Sequence, residues 1–364
     1  MNFLIAGGGT GGHYFPAYAL ATHLLEAGNR VLYVGTENGI EKRLGFPAEK
    51  VLLLKISGVV GRGISGFLSS FRFLTAGLEV AREIEKFKPD ASVVFGGYVS
   101  LPSGFPSYLK GVPLFVQEQN SVPGRVNRLL SRFSVCSFLG FPKAAEYLSG
   151  RTLFTGNPVR REIVSAASKR DSWRKRALEK LNLSPKKKTL LVLGGSQGAL
   201  WINRLFLKAV PLLKEMGIQI VHVTGKSKEE EKLRELYREL GIDARVFPFY
   251  REMWELYSVA DAAVSRAGAL AISELSLFGI PTLFIPYPFA ADNHQLENAR
   301  YLSSMGAALY REQSSLTPQE LAEIVENLLF SIIEAERLRE NFLSFSRPKA
   351  TEEIAEVVCG KRDL

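Results

Sequence analysis

Short apolar runs alternate with longer helical patterns along almost the whole chain, and this alternation begins twice. The segment NFLIAGGGTGG at Asn2–Gly12 has the pattern of a buried strand, a glycine turn and a helix start, and TLLVLGGSQGALWINRLF at Thr189–Phe206 repeats that order. Strands alternating with helices are typical of parallel sheets built from βαβ units. The sequence therefore predicts an α/β protein with two Rossmann-like, doubly wound parallel-sheet domains that face each other across a cleft.

A polar, basic and helical segment without a strand pattern separates the two repeats, at Asn157–Lys188. We place the domain boundary near Arg160–Glu162, which gives domains at 1–161 and 162–340 in a chain of 364 residues. Ligands of doubly wound sheets bind outside the carboxyl ends of the strands. Both glycine turns are therefore expected to line the cleft.

The charge of the chain is concentrated in its first half. The net charge is +9, and residues 1–160 hold 17 Lys and Arg against 10 Asp and Glu. Such an excess indicates an anionic partner, whether phosphate, nucleic acid or an acidic membrane surface, or serves only solubility. Cys136 and Cys359 form no CxxC pair, and the first 25 residues lack Lys and Arg. A reducing, cytoplasmic location without a signal peptide is expected.

The first glycine turn fits several kinds of phosphate site. Gly7, Gly9 and Gly12 satisfy G-x-G-x-x-G before a helical pattern at Ala17–Ala27, which is a weak signal by itself. A dinucleotide site also needs an acidic residue after the second strand, and Glu37 comes late for that role. A second turn, FGGYVSLPSG at Phe95–Gly104, lies in the same half. The two turns can cradle a pyrophosphate, or can serve only as tight strand–helix turns.

Three motifs of the second half also combine small and polar residues near helix starts. GGSQGA places Ser196 beside a glycine turn, and SRAGALAISE places Glu274 about two turns into a helix. That carboxylate suits sugar hydroxyls, or lies on a solvated helix face. PYPFAADNHQLENA holds Asp292–Gln295 at a loop-to-helix start, where polar residues are often only caps. No single motif decides the function.

Together the motifs identify a family. GGGTGGH, GGYVS, QEQNSVPGRVNRLL, GNPVR, GGSQGA, SRAGALAISE and the DNHQ-x-x-NA run, in this order, resemble the MurG family from Asn2 to about residue 340. These bacterial enzymes convert lipid I to lipid II in peptidoglycan synthesis. The resemblance implies the glycosyltransferase-B architecture, with UDP-N-acetylglucosamine bound mainly by the C-terminal domain. It also implies that the segment 341–364 crosses back to the first domain through a helix at Ala350–Val358.

The resemblance also implies roles for individual residues. The donor UDP-N-acetylglucosamine is expected at Thr10, Gly11, Gly12, Asn120, Arg160, Ser196, Tyr250, Ala269, Leu270, Ala271, Ile272, Ser273, Glu274 and Gln295. The acceptor lipid I is expected at Gly96, Gly97, Tyr98 and Asn127, and Asn203 and Arg266 match further functional positions. Two residues depart from the family pattern: Gln117, where the family often has His, and His294, where it often has Gln.

The implied reaction moves N-acetylglucosamine to the C4 hydroxyl of N-acetylmuramic acid and inverts the anomeric carbon. It needs a base on the acceptor side and stabilisation of the leaving diphosphate. The catalytic candidates are His13 as general base, Glu118 as reserve base, and Asn120; the alternative for His13 is a positioning role. There is no Asp-x-Asp and no metal-ligand spacing of histidines. Ser196, Arg160 and a helix N-terminus are therefore expected to act without a metal or cofactor.

One apolar stripe predicts contact with a membrane. In GRGISGFLSSFRFLTAGL at Gly61–Leu78, apolar side chains recur at helical spacing with cations beside them. The stripe suits interfacial docking to anionic lipid, or covers a core. The predicted contacts are Arg62, Ile64, Phe67, Leu68, Phe71 and Arg72. We expect a peripheral protein on the cytoplasmic face of the plasma membrane, with no nucleic-acid partner.

Other function classes explain fewer of these motifs. A nicotinamide oxidoreductase needs a convincing ribose carboxylate after its glycine turn, and Glu37 is poorly spaced for it. A non-catalytic binder of lipid pyrophosphate needs no donor site in the second half. An epimerase of the same donor shares the fold, but the tandem glycine turns and the basic first half disfavour it.

Overall fold

The computed structural model describes residues 1–56, 64–194, 200–225 and 227–362, with side chains from residue 72 onward in the helix that begins at Ile64. The chain forms two compact units. Unit 1 comprises Met1–Arg160 and Arg347–Leu364, and unit 2 comprises Arg161–Ser346.

Each unit is built on one parallel sheet. In unit 1 the strand order is β3-β2-β1-β4-β5-β6-β7, and in unit 2 it is β10-β9-β8-β11-β12-β13. Both orders reverse between the first and fourth strand of the sheet, where ligands of doubly wound folds bind. The strands are β1 Asn2–Ala6, β2 Arg30–Thr36, β3 Lys50–Leu54, β4 Ala91–Val94, β5 Leu114–Glu118, β6 Cys136–Leu139, β7 Thr152–Phe154, β8 Thr189–Leu193, β9 Gln219–Val223, β10 Asp243–Phe247, β11 Ala262–Ser265, β12 Thr282–Phe284 and β13 Leu309–Tyr310.

Helices follow most strands. Unit 1 contains α1 Gly11–Glu26, α2 Glu41–Leu44, α3 Ile64–Phe87, α4 Ser100–Leu109, α5 Arg125–Leu130 and α15 Ala350–Val358. Unit 2 contains α6 Arg161–Ser168, α7 Arg170–Lys180, α8 Leu200–Leu213, α9 Glu229–Glu239, α10 Met253–Val259, α11 Ala269–Leu277, α12 His294–Ser304, α13 Pro318–Phe330 and α14 Ile332–Phe345. None of the helices described combines the length and apolarity needed to cross a bilayer.

The sheet of unit 1 has an apolar core on each face. Alternate residues of β1 point to opposite faces, so Phe3 and Ile5 join one core while Leu4 and Ala6 join the other. Ile354 of α15 is fully buried in the core of Phe3 and Ile5. This helix therefore completes unit 1, although all of unit 2 precedes it in the chain.

The predicted fold class is confirmed, since both sheets are parallel and both strand orders are doubly wound. The predicted start of the first helix at Ala17 is wrong, because α1 begins at Gly11 inside the glycine turn. β13 was not predicted, because two residues carry no periodic pattern.

Candidate active site

His13 lies where the first glycine turn becomes α1. The turn follows β1 at the point where the strand order of unit 1 reverses. Thr10 precedes the helix with an extended backbone, and its carbonyl accepts hydrogen bonds from the backbone N–H groups of His13 and Tyr14. The Thr10 hydroxyl oxygen lies 3.3 Å from His13 Nδ1. Two of the predicted site residues are thus in direct contact.

The second glycine turn packs against the imidazole of His13. Gly96 and Gly97 follow β4 and have φ values of +86° and +75°, in the left-handed region that favours glycine. A Cβ on Gly96 would lie 3.3 Å from His13 Nε2, and a Cβ on Gly97 would lie 3.3 Å from His13 Nδ1. The ring therefore lies along the backbone of this turn. Both glycines leave the space that it occupies.

Glu118 organises the loop after β5. Its side chain is only 2% exposed. It accepts hydrogen bonds from the backbone N–H groups of Asn120 and Gly124 at 2.8 and 3.2 Å, and from Asn127 Nδ2 at 2.8 Å. Burial raises the pKa of the Glu118 carboxyl above its ordinary value. With both oxygens engaged, Glu118 is suited to position its neighbours, and the geometry does not favour the reserve-base role.

Asn127 presents a polar atom that no described residue satisfies. Its Nδ2 donates to Glu118 and to the Gln117 carbonyl, whereas its Oδ1 is buried and has no hydrogen-bond partner in the part of the chain described. The same Nδ2 lies 3.2 Å from the position of a Cβ on Gly96. Buried polar atoms are usually hydrogen-bonded, so this oxygen is a candidate ligand contact.

Gln117, which stands where the family often has His, is buried next to the site. Gln117 is fully buried, and its Nε2 donates to Asn157 Oδ1 at 2.8 Å. Asn157 Nδ2 in turn donates to the Gln119 carbonyl at 3.1 Å, and Gln119 Nε2 donates to the Phe95 carbonyl at 2.8 Å. This amide network joins the carboxyl ends of β4 and β5. Its members act on the site through the backbone.

Arg160 and Tyr98 also belong to unit 1. The Arg160 guanidinium lies 5.0 Å from the centre of the Phe15 ring, on the first turns of α1. Tyr98 follows the second glycine turn and is exposed. The acceptor candidates, the catalytic candidates and Arg160 are therefore in one unit. There His13 contacts two of the acceptor candidates, Gly96 and Gly97, and Asn127 adjoins the same turn.

One residue at the first turn was missed by the sequence analysis. Glu41, at the start of α2, is 3% exposed, and its carboxylate accepts a hydrogen bond from the Gly9 N–H at 3.0 Å. Glu37, the weak ribose candidate, instead lies 3.9 Å from Lys55. The sequence signal for Glu41 is the run GTENGIE at Gly35–Glu41. Its acidic residues have the pattern of a solvent-exposed turn, so they do not indicate a buried carboxylate.

In unit 2, α11 begins directly after β11 at the reversal of the strand order. Gly268 precedes the helix with an extended backbone, and the N–H groups of its first turn lack intrahelical acceptors. Such an end favours an anion. Glu274, further along α11, is buried and accepts a hydrogen bond from the Tyr257 hydroxyl at 2.6 Å. The predicted stretch Ala269–Glu274 therefore contains an anion-binding end and a carboxylate.

Arg266 and Gln295 both stabilise the loop after β12. Arg266 donates to the carbonyls of Ile285 and Pro286, each at 3.0 Å, and burial lowers its pKa to about 10, so it stays charged at neutral pH. Gln295 Oε1 accepts from the Tyr287 N–H at 3.0 Å. His294 Nδ1 lies 2.8 Å from the Ala291 carbonyl, and burial lowers the pKa of this imidazole.

Tyr250 and Asn203 are also anchored within unit 2. The Tyr250 hydroxyl donates to Glu255, which Lys180 also contacts at 2.8 Å. Asn203 Nδ2 donates to the Thr224 carbonyl at 3.0 Å, and its Oδ1 lies 3.1 Å from Nε2 of His222.

Some predicted contacts lie outside the described residues. They are Ser196 and Arg62, together with the side chains of Ile64, Phe67, Leu68 and Phe71. Arg72 is described and exposed on α3. Among the residues described, no group of three or more His, Cys, Asp or Glu could hold a metal ion.

Sequence comparison matches both units to one family. Residues 3–138 match the model of the glycosyltransferase family 28 N-terminal domain, and residues 189–354 match that of its C-terminal domain. The UDP-N-acetylglucosamine--N-acetylmuramyl-(pentapeptide) pyrophosphoryl-undecaprenol N-acetylglucosamine transferase of Pelobacter propionicus is 39% identical over 348 residues, which are 90% of this chain and 91% of that protein. The protein of the same name from Hahella chejuensis is 36% identical and covers 97% of this chain and 96% of its own.

Solved structures share the fold over the whole length. The crystal structure of Acinetobacter baumannii MurG has a TM-score of 0.76 at 30% identity and covers 99% of both chains. A UDP-GlcNAc 2-epimerase from Neisseria meningitidis, bound to UDP-GlcNAc, has a TM-score of 0.68 at 14% identity, covering 99% of this chain and 100% of that one. At that identity the second likeness is one of fold alone.

Proposed function

The chain belongs to glycosyltransferase family 28, and from that membership we infer that it transfers N-acetylglucosamine from UDP-N-acetylglucosamine to lipid I. The product is lipid II, the disaccharide-linked precursor of peptidoglycan. The observation that carries this inference is the relatedness over nearly the full length to transferases of that name, at 36–39% identity. The clustering of the implied catalytic and acceptor residues in unit 1 supports it.

The donor is assigned to unit 2. The free N–H groups at the start of α11 suit the diphosphate of UDP, because a helix N-terminus favours negative charge. The buried carboxylate of Glu274 suits the hydroxyls of the ribose, since a carboxylate accepts hydrogen bonds from several hydroxyl groups. Arg266 holds the loop after β12 through two carbonyls, which supports the placement of Gln295 near the sugar.

The acceptor and the base are assigned to unit 1. His13 takes the proton of the C4 hydroxyl as that oxygen attacks the anomeric carbon, and the bond to the UDP oxygen breaks on the opposite side, which inverts the configuration. The ring is oriented by the hydroxyl of Thr10 and by the backbone of Gly96 and Gly97. Glu118 fixes Asn120 and Asn127 around the acceptor. Arg160 and Ser196 contribute to stabilising the leaving diphosphate.

The direct test is transfer of label to lipid. With UDP-N-acetylglucosamine radiolabelled in the sugar and a short-chain lipid I analogue, we expect one labelled lipid product for each UDP released. We also expect the rate to be unchanged by EDTA, since the mechanism uses N–H groups and Arg160 at the diphosphate. UDP release without labelled lipid would contradict the proposal, as would conversion of the donor to its 2-epimer.

Membrane docking is assigned to the outer surface of α3 and α4. Leu74 and Leu78 of α3 and Leu109 of α4 are 62%, 54% and 66% exposed. The two helices pack together, and a Cβ on Gly77 would lie 3.8 Å from Pro106 Cγ. Leu74 and Leu78 belong to the predicted stripe at Gly61–Leu78, Leu109 adds to it from α4, and residues 1–160 carry the positive charge excess. Apolar side chains combined with positive charge suit the surface of an anionic bilayer, where lipid I resides.

Vesicle cosedimentation tests this docking surface. We expect the Leu74→Gln/Leu109→Gln variant to bind phosphatidylglycerol-containing vesicles about tenfold more weakly than the wild type, because two apolar side chains no longer enter the interface. The matched control is Ile332→Gln/Ile333→Gln, a pair in unit 2 that is 84% and 85% exposed. Equal losses in the two variants would contradict the assignment, and so would wild-type binding that is independent of lipid charge.

A further inference from the structure

The first glycine turn already holds an anion, the carboxylate of Glu41. Glycine turns before a helix bind phosphates because their N–H groups converge on one point. Here the N–H of Gly9 is directed to Glu41, with Oε2 at 3.0 Å and Oε1 at 3.2 Å. The Gly9 N–H of this turn is therefore engaged by a side chain of this protein.

The carboxylate is held by uncharged donors. Oε1 also accepts hydrogen bonds from the Thr36 N–H at 2.6 Å and from the Thr36 hydroxyl at 2.8 Å. Among the residues described, no Lys or Arg forms an ion pair with Glu41, which is 3% exposed. A buried carboxylate is tolerated when several N–H and O–H groups donate to it. The site is therefore built to hold a negative charge.

Three glycines leave the space for this carboxylate. A Cβ on Gly8 or on Gly39 would overlap its carboxylate atoms, and a Cβ on Gly35 would lie 3.0 Å from Glu41 Cγ. None of the three has a positive φ. Their backbone conformations therefore admit any residue, and the requirement at these positions is space. Gly8 is part of the motif that the sequence analysis connected with phosphate.

We propose that Glu41 is a positioning residue that fixes the turn carrying Thr10 and His13 and excludes phosphate from the Gly9 N–H. The inference rests on the transferase function proposed above. Its consequence is that the Gly9 N–H is unavailable to a pyrophosphate group of either substrate. Residues Gly9 to His13 are contiguous, so a shift of Gly9 also moves Thr10 and changes the position of the His13 imidazole.

Chemical rescue distinguishes this role from simple structural support. We expect Glu41→Ala to lower kcat about 10- to 100-fold, since small displacements of a catalytic group have effects of that size, with KM for UDP-N-acetylglucosamine changed less than about threefold. Acetate should restore kcat by occupying the vacated cradle, and acetamide, which has the same shape without the charge, should not. The control is Glu37→Ala, which removes a nearby carboxylate that does not contact the turn.

A second measurement does not depend on turnover. In Glu41→Ser both the charge and most of the side chain are lost, so inorganic pyrophosphate should bind to the variant measurably in calorimetry at concentrations where a Glu37→Ser control shows no added binding. This variant decides the matter if Glu41→Ala does not fold. Unchanged kcat in the folded variants overturns the proposal. A loss of kcat also overturns it if acetate does not restore the rate and the variant does not bind pyrophosphate. A wild type without transferase activity would instead refute the proposed function.

Discussion

Replacement of His13 by alanine is expected to lower kcat about 10²- to 10⁴-fold, which is the usual contribution of a positioned general base. The structure supports a large effect because the imidazole is held on several sides, by the Thr10 hydroxyl and by the backbone of Gly96 and Gly97. KM for UDP-N-acetylglucosamine should change little, since the donor is assigned to unit 2. Steady-state rates of labelled lipid formation measure both constants.

The pH profile separates a base from a positioning histidine. A base must be neutral, so the wild-type kcat should rise with pH along the acid limb of its profile, and His13→Ala should lose this limb. His222 cannot supply the limb, because burial lowers its pKa to about 3. In the unfolded chain His222 binds a proton at about pH 6.5, whereas in the native protein it stays neutral down to about pH 3. The free energy of unfolding therefore falls as the pH drops between these two values.

Rates for this profile should therefore be accompanied by circular dichroism at each pH. His23→Ala, on the same helix α1, is the matched control and should keep the wild-type profile. A His13→Ala variant with near-normal turnover, or with the acid limb intact, would remove the base role.

Replacement of Glu274 by alanine is expected to raise KM for UDP-N-acetylglucosamine about 10- to 100-fold with little change in kcat. We expect this because the proposed ribose contact would be lost, and hydrogen bonds to a carboxylate contribute about 1.5–3 kcal/mol each. The donor sugar reacts at a distance from the ribose, so the transition state for transfer loses the same interaction as the bound substrate. Initial rates at varied donor concentration give the two constants.

Two controls make this result specific. Tyr257→Phe removes the hydroxyl that donates to Glu274 while leaving the carboxylate, and should raise KM less than about fivefold. A donor analogue without ribose hydroxyls should bind the wild type and Glu274→Ala equally. If Glu274→Ala weakens that analogue as much as the natural donor, the ribose contact is wrong.

The fold could be predicted from the sequence because its determinants are local and repeated. Strands such as Thr189–Leu193 are buried throughout and apolar except for the first residue, and a glycine turn and a helix follow, so each βαβ unit can be identified by itself. Parallel order then brings the ends of β1 and β4 together, which is why the contact between His13 and the second glycine turn follows from the topology. The start of α1 escaped the pattern, because glycines rarely begin helices by propensity.

The roles of the buried carboxylates could not be predicted in the same way. Glu118 and Glu41 are acidic residues near turns, and a sequence pattern predicts that such residues are exposed to solvent. Their burial depends on elements far apart in sequence: Glu118 ends a strand with neighbours on both sides, and Glu41 is enclosed by the turn of Gly9 and by Thr36. Burial of this kind is a tertiary property.

The path of the chain has a consequence for how the molecule is made. During synthesis on the ribosome, the apolar face that contains Phe3 and Ile5 is not covered by Ile354 until every residue of unit 2 has been translated. Unit 2 is continuous in sequence and can complete its core first. Residues 1–160 of unit 1 are translated earlier, but they keep an uncovered hydrophobic surface. Nascent chains of this protein therefore offer a chaperone a defined target, and a product truncated before Ala350–Val358 keeps that hydrophobic surface exposed.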